Sequence, residues 1–401
     1  REDNGYKVYW KDGAQINAPL DKEISAYLEE IKPNEVELAS LDSPLITQDD
    51  GNLHEQYLNM AASCVLQPQN SEMKITYTPI HGVGRDTLVE AFTRAGFPAV
   101  HVVAEQAEPD PSFSTVDFPN PEVPGTLDLA LAEAKRVEAD LLLANDPDAD
   151  RLAVVVPDGE AWRVFNGNEI GALLAEHVLK SSEGSDRLVV TTIVSSRMLK
   201  EIANHHGVHY EETLTGFKWI MRPGIDNPEK SFVFGYEEAL GFAVGDHVHD
   251  KDGVTAALVF AELAAEAKRQ GRSVVDCLHD LWNRHGVHVT GQVAYRFGGS
   301  GVMSEIMKEI RRNPPKKIGA ASINKVVDFL KEGSGLPPTD AIALETDEVR
   351  VIVRPSGTEP LIKIYGEAVV TVQEGNIGES EIAAGKKLEE ALKCLDDLVK
   401  E

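Results

Sequence analysis

Short apolar blocks separated by turns rich in Gly, Pro, Asp and Asn run along this chain, and their periods predict its elements. Tyr6, Val8 and Trp10 alternate with Lys7, Tyr9 and Lys11, a strand pattern that Asp12-Gly13 turns back as a hairpin. A helix is expected from Asp21 to Ile31, ahead of Pro33. Such a hairpin has no sheet of its own and must dock on something.

From residue 41 to 165 the pattern is of βα type. A helix is expected over Asn52–Val65, a strand over Lys74–Thr78, a helix over Asp86–Ala95 and a strand over Ala99–Val103. A long loop, Glu105 to Pro124, precedes a helix to Val137 that Thr126 or Asp128 can cap. Residues 166–290 repeat the alternation. Helices are expected over Asn168–Leu179, from Ser195 or Ser196 to His206, and over Gly253–Arg269; strands over Leu188–Ile193, Val208–Glu212 and Ser231–Phe234. Alternation of this kind predicts layered α/β domains with mostly parallel sheets, and two successive units of similar length suggest a duplication. Residues 291–401 change character, with strands at Gln292–Phe297, Val349–Arg354 and Leu361–Glu367. A final helix places Leu388, Ala391, Leu392, Leu395, Leu398 and Val399 on one stripe. The fold class is therefore α/β and multidomain: successive mixed sheet-and-helix domains, then a C-terminal α+β cap.

At 401 residues the chain has room for two to four domains. Its net charge of −27, from 39 basic and 66 acidic side chains, excludes nucleic acid as the main partner. No apolar run approaches the roughly eighteen residues of a membrane helix, and Arg1 to Trp10 does not read as a signal peptide, so no membrane partner is expected. Cys64, Cys277 and Cys394 are odd in number and widely spaced. They form neither a disulfide framework nor a zinc knuckle, which points to a reducing cytoplasm. A phosphorylated substrate would need a local positive site within the negative field; Arg354, Lys363, Lys218 and Lys251 are candidates.

The stretch with the clearest chemistry is Ala139 to Val156. Two apolar runs flank Asn145-Asp146-Pro147-Asp148-Ala149-Asp150-Arg151, which reads as strand, loop, strand. Three carboxylates in one turn repel one another, so something positive belongs among them. Oxygen ligands without Cys or His favour Mg²⁺ or a similar hard ion over zinc. A solvated acidic turn is the plainer alternative. An EF-hand loop is excluded, because Arg151 and Pro157 stand where it needs Gly and Glu. A haloacid-dehalogenase-type phosphatase stays open, with Asp146 as nucleophile and Asp148 as acid/base. A second loop, Arg354-Pro355-Ser356-Gly357-Thr358-Glu359-Pro360, fits a type I turn. The turn alone does not explain Arg354, Ser356 and Thr358 around a Gly, which suit a phosphate.

Asp-Pro-Asp-Ala-Asp-Arg after an apolar strand resembles the metal loop of the α-D-phosphohexomutases, which move a phosphate between the C1 oxygen and the C6 (or C5) oxygen of a sugar. Arg354 to Pro360 matches that family's phosphate loop at every position. Gly235-Tyr236-Glu237-Glu238-Ala239-Leu240-Gly241 resembles its sugar loop, with Ala239 where Ser is usual. Asp250-Lys251-Asp252-Gly253, Thr215-Gly216-Phe217-Lys218, His81 in the Pro79–Gly84 loop and Asn4-Gly5-Tyr6-Lys7 match further family segments in order.

The resemblance implies four parts: a domain 1 remnant at 1–40, domain 2 with the metal loop at 41–165, domain 3 with the sugar loop at 166–290, and a phosphate-binding domain, TATA-binding-protein-like in the family, at 291–401. It implies Mg²⁺ on Asp146, Asp148 and Asp150, added positive charge from Arg151, and Lys7 as general acid/base. Lys251 reaches the active site, Glu237, Thr215, Gly216 and Lys218 meet the sugar, and Arg354, Ser356, Gly357 and Thr358 grip the phosphate that stays. His81 is expected to be structural. The cap should hinge near Gly291 or Pro314 so the sugar can turn around, with glucose 1,6-bisphosphate or a similar bisphosphate as primer.

The family's nucleophilic Ser lies in a Thr-Ala-Ser-His-Asn-Pro loop that, by family spacing, ends just before Arg1. The chain as given is therefore expected to be inactive as a mutase and to need that N-terminal segment as its partner. Expected function is phosphoglucomutase or phosphomannomutase. The alternatives are a phosphopentomutase of the same family, the phosphatase above, and a non-catalytic sugar-phosphate-binding remnant. Ala239 leaves glucose, mannose and pentose open.

Overall fold

Residues 6–66, 72–298, 300–331, 333, 335–357, 360–373 and 375–400 are described by the computed structural model. The alternation from Tyr6 to Trp10 does not become a strand: one bridge pairs Tyr9 with Gln15. The turn itself forms, with Trp10 N donating to Ala14 O at 3.0 Å and Ile16 N to Val8 O at 2.9 Å. So short a hairpin lacks a ladder, and side chains dock it instead. Helix α1, Leu20–Glu30, is amphipathic in sequence and buries no residue.

The first layered unit contains α2 (Asn52–Ser63), β1 (Ile75–Thr78), α3 (Arg85–Arg94), β2 (His101–Val102), α4 (Asp128–Val137), β3 (Leu141–Ala144), β4 (Ala153–Asp158) and β5 (Ala161–Val164). Its sheet runs β2-β1-β3-β4-β5. β1 is parallel to β2 and β3, whereas β3, β4 and β5 are antiparallel. β1 and β3 are buried along their whole length, as the unbroken apolar run of β3 predicts for a strand covered on both faces. Neither Thr126 nor Asp128 caps α4. Leu127 precedes the helix, Asp128 is its first residue, and Thr126 Oγ1 donates to Phe118 O at 3.2 Å.

The second unit contains α5 (Gly167–Ser181), β6 (Arg187–Thr192), α6 (Met198–His206), β7 (His209–Thr213), α7 (Phe217–Ile220), α8 (Arg222–Asp226), β8 (Ser231–Glu237), β9 (Gly241–Val244), α9 (Gly253–Arg269) and α10 (Val274–His285). Its sheet, β7-β6-β8-β9, repeats the plan of the first: a central first strand, parallel neighbours on both sides, then an antiparallel strand. The sheets are thus less parallel than the alternation suggests. Ser196 supports the start of α6 by accepting from Met198 N at 3.1 Å.

Helix α9 is buried almost throughout, because it packs on both units: α2, α3 and β3 of the first, α5, α10 and β9 of the second. One apolar core, which begins at Leu58, runs through both and reaches Val287 and Ala384 of the C-terminal part.

The C-terminal part comprises β10 (Val287–Arg296), α11 (Ser300–Arg312), β11 (Lys317–Ile318), β12 (Ala321–Ser322), β13 (Lys325–Asp328), β14 (Ile342–Glu345), β15 (Val349–Pro355), β16 (Leu361–Val370) and α12 (Ile377–Lys400). Five strands form an antiparallel sheet, β10-β16-β15-β14-β13. Leu388, Ala391 and Leu395 of the expected stripe are buried against it; the side chains of Leu398 and Val399 lie outside the described residues. Gly291 is not a joint. It sits mid-strand opposite Gly366, and a methyl group at Gly366 would lie 2.6 Å from Leu388. Glycine there admits α12 rather than bending the chain. Pro314 lies within the cap, between α11 and β11. The covalent link from the second unit is Gly286, whose φ is +91°.

Candidate functional site

The loop between β3 and β4 is built by its neighbours. Asn145, fully buried, donates through Nδ2 to Arg151 O, closing the loop on itself. Ala149 adopts φ +59°, a conformation that L residues rarely hold. The start of α9 meets the loop directly: Gly253 N donates to Ala149 O at 3.1 Å. A methyl at Gly253 would lie 2.4 Å from Arg151 O, so only glycine lets the helix approach. Asp252 caps α9 by accepting from Val254 N at 2.9 Å and Thr255 N at 3.1 Å, and Tyr57 of α2 donates to the same carboxylate. The Asp250–Gly253 segment is thus also a capped helix N-terminus.

Oxygens of Asp146, Asp148 and Asp150 converge within 4.8 Å of one another. Asp146 accepts from Arg151 N at 3.0 Å, and Arg151 Nε lies 3.5 Å from its second oxygen. Burial, then the charges of Asp150 and Asp148, push the Asp146 carboxyl up to about 7. This all-oxygen, anionic set fits a hard divalent cation such as Mg²⁺.

Lys7 comes to this loop from the docked hairpin. Its Nζ donates to Asp148 Oδ2 at 2.6 Å and to Asp150 Oδ2. Burial works against its charge, but the two carboxylates hold it protonated well above the ordinary lysine range. Lys251 Nζ lies 3.1 Å from Asp150 and 3.3 Å from Asp250, over the ring of Phe217 at 5.4 Å. Two contacts were not legible in the local pattern. Tyr9 Oη donates to Asp250, and Asp12 pairs with Arg222 at 2.7 Å. They seat the hairpin on the second layered unit, from which Lys7 reaches over to the acidic loop of the first.

The sugar-loop candidates follow β8. Leu152 N donates to Leu240 O at 3.0 Å, and Arg151 bridges Gly241, so this loop and the acidic loop are stitched together. Burial pushes the Glu237 carboxyl up to about 7, with Lys251 pulling against it. Glu238, which the sequence reading left without a role, accepts from Ser195 Oγ at 3.2 Å. Gly216, at φ +103°, precedes α7, and Lys218 lies half-buried in its first turn.

Arg354, at the end of β15, stands opposite Lys363 on β16 and donates to Thr215 Oγ1 at 2.5 Å. The phosphate-loop and Thr215–Lys218 candidates are thereby joined. Ser356 N donates to Leu361 O at 2.7 Å, closing the loop as a hairpin. Ser356 and Gly357 are placed in it, whereas Thr358 lies outside the described residues. Desolvation pushes the carboxyl of Glu122, from the long Glu105–Pro124 loop, above its ordinary range, with Arg151 and Lys363 nearby pulling only partly against it. Glu122 faces both the acidic loop and the cap, although no motif singled it out. His81 is structural, as expected: at φ +58°, its Nε2 lies 2.9 Å from Thr115 Oγ1, which pins the long loop.

Comparison with known proteins gives three matches to family models: phosphoglucomutase/phosphomannomutase α/β/α domain II over 55–159, domain III over 166–285, and the C-terminal domain over 307–384. A Haemophilus influenzae protein named "Probable phosphomannomutase" is 38% identical over 374 residues, covering 92% of this chain and 75% of that protein. Human phosphopentomutase is 34% identical over 433 residues, covering 99% of this chain and 70% of that protein. Among solved structures, a Thermus thermophilus protein named as a phosphomannomutase superposes with a TM-score of 0.66 at 21% identity, covering 94% of this chain and 73% of that one. At that identity the likeness is one of fold.

Proposed function

The chain belongs to the phosphoglucomutase/phosphomannomutase (α-D-phosphohexomutase) family, and from that premise we propose that it serves reversible transfer of a phosphoryl group between the C1 and C6 oxygens of a hexose phosphate. One observation carries the reading. The acidic loop, the Glu237 loop and the Arg354 loop come from three parts of the chain: the first two are stitched together by Leu152 N and Leu240 O and share Lys251, and Arg354 reaches Thr215 of the second unit.

In this reading Asp146, Asp148 and Asp150 hold a divalent cation such as Mg²⁺. When bound, the ion withdraws charge from the phosphoryl group in transit. Arg151 adds positive charge on that face. Glu237, with its carboxyl near neutrality, accepts and donates hydrogen bonds to sugar hydroxyls. Arg354 offers its donor fork to the phosphate that stays, with Ser356, Gly357 and Thr358 around it. Lys7 handles the proton of the reacting hydroxyl, and Lys251 steadies the charge between the acidic and sugar loops. The family's Thr-Ala-Ser-His-Asn-Pro loop is not among these 401 residues, so transfer is proposed for a protein that includes it, with a sugar bisphosphate such as glucose 1,6-bisphosphate as primer.

A second reading keeps the site and changes the sugar. Ala239 stands where the family's sugar loop usually has Ser, and a relative at 34% identity is named phosphopentomutase. A pentose, with its phosphate on C5, is the alternative substrate.

The test is conversion of glucose 1-phosphate, mannose 1-phosphate and ribose 1-phosphate by the encoded full-length protein, with Mg²⁺ and a trace of bisphosphate. Isomerised product, lost in Asp148→Ala, supports the mutase, and relative rates name the sugar. Inorganic phosphate without isomerised product would support the phosphatase instead.

A further inference from the structure

The ammonium of Lys7 sits where a bound cation belongs. It hydrogen-bonds two of the three converging carboxylates, Asp148 at 2.6 Å and Asp150. Asp146 is met from another side by the backbone and guanidinium of Arg151. Lys251 meets Asp150 as well, at 3.1 Å, but its side chain is only 12% exposed and lies over Phe217. Lys7 differs. Its side chain is 43% exposed, and the contacts that seat its hairpin are made by Tyr9 and Asp12, not by Lys7. Its four-carbon stem can therefore swing without undocking the hairpin.

A divalent ion on Asp148 and Asp150 would use the oxygens that now accept from Lys7, and two cations at hydrogen-bond range repel. We propose that Lys7 and the metal are mutually exclusive partners of the Asp148–Asp150 pair, so that metal entry expels the ammonium and releases it toward the cleft. The inference rests on the metal reading above and adds to it. Lys7 is a counter-cation as well as a proton carrier, and it becomes free for the second role only when metal takes over the first. Proton handling would then be gated by metal occupancy without any movement of domains.

Mn²⁺ titrated into the purified chain, with free Mn²⁺ followed by electron paramagnetic resonance, tests this. Lys7→Met should bind Mn²⁺ about ten-fold or more tightly than the unsubstituted chain, since it removes the competing charge. Asp148→Asn should lose binding. Unchanged or weaker binding in Lys7→Met, with the Asp148→Asn loss intact, would overturn the exclusion and leave the metal reading standing. Binding indifferent to Asp148→Asn, or no binding at all, would overturn both. A second readout uses the unsubstituted chain alone: acylation by an amine-specific reagent, mapped by mass spectrometry. Mg²⁺ should speed labelling of Lys7 several-fold and leave that of the exposed Lys200 unchanged. Labelling of Lys7 that Mg²⁺ slows or does not alter would contradict the exchange.

Discussion

The two layered units and the cap are held by different forces. Between the units the join is apolar: α9 is buried from both sides, and one core, which begins at Leu58, runs through both. The cap has its own core around Met307, Val351, Ile364 and Leu395. It meets the second unit through a small apolar cluster, Ile193 and Val194 against Phe329, Ala343, Ile352 and Tyr365, and through Val287 and Ala384, which join the edge of the larger core. A polar latch stands beside it, in which Glu367 accepts from Ser196 Oγ at 2.6 Å, Arg197 Nε at 2.7 Å and His288 Nδ1 at 2.8 Å. Apolar packing in a continuous core leaves little freedom, because any relative shift opens a void. Polar contacts can be exchanged for water or for a ligand. The acidic and sugar loops are thus fixed to each other within one core, whereas the phosphate loop is carried by a part with a core of its own and a partly polar seam.

The largest effect should come from the apolar join. Phe260→Ala, in the middle of α9 and fully buried, should cost about 3–5 kcal/mol in denaturant unfolding. Probes in both units should lose structure in one transition; separate transitions would break the comparison. Next comes the latch. Glu367→Gln should cost roughly 1–3 kcal/mol, because it weakens acceptance from buried donors, and the loss should appear as earlier proteolysis at the cap.

The latch also predicts a pH dependence. Burial raises the Glu367 carboxyl, yet His288, Arg197 and Ser196 outweigh it and hold the group at about 2, below its ordinary 4.5. A carboxyl depressed in the folded state stabilises fully above the unfolded value. That contribution is lost as pH falls from 4.5 toward 2. Glu367→Gln should flatten the stability profile in that window, and an unchanged profile would remove the latch from the account.

Arg354→Ala should leave unfolding within about 1 kcal/mol while weakening sugar-phosphate binding about ten-fold or more, measured by calorimetry. The smallest effect is a surface control. Arg272→Ala removes an exposed pair with Asp280, 2.6 Å apart, and should shift stability by no more than about 1 kcal/mol.

Much of this was legible in the sequence for a physical reason. The runs at Leu141–Leu143 and Leu152–Val156, and the period of Gly253–Arg269, belong to elements covered on both faces, where burial writes an unbroken apolar signal. The cap strands Lys325–Asp328, at the sheet edge, and Ile342–Glu345, beside it, escaped notice because four residues carry too little period to stand out. Gly291 misled because a strand glycine can mark close approach as well as a bend, and only the position of Leu388 decides between them. The motif residues of the acidic loop were found and gathered. Tyr9 and Asp250 were not paired in advance, since a hydrogen bond between residues far apart in the chain leaves no local trace.

The central claim is that three loops, one from each layered unit and one from the cap, address a single substrate. Calorimetric titration of the chain with glucose 1,6-bisphosphate and Mg²⁺ tests it most directly, in the unsubstituted protein and in Asp148→Asn, Glu237→Gln and Arg354→Ala. The account predicts one binding site, weakened by each of the three substitutions although they lie in three different parts of the fold. Binding that survives at full strength in Arg354→Ala or in Glu237→Gln would contradict it.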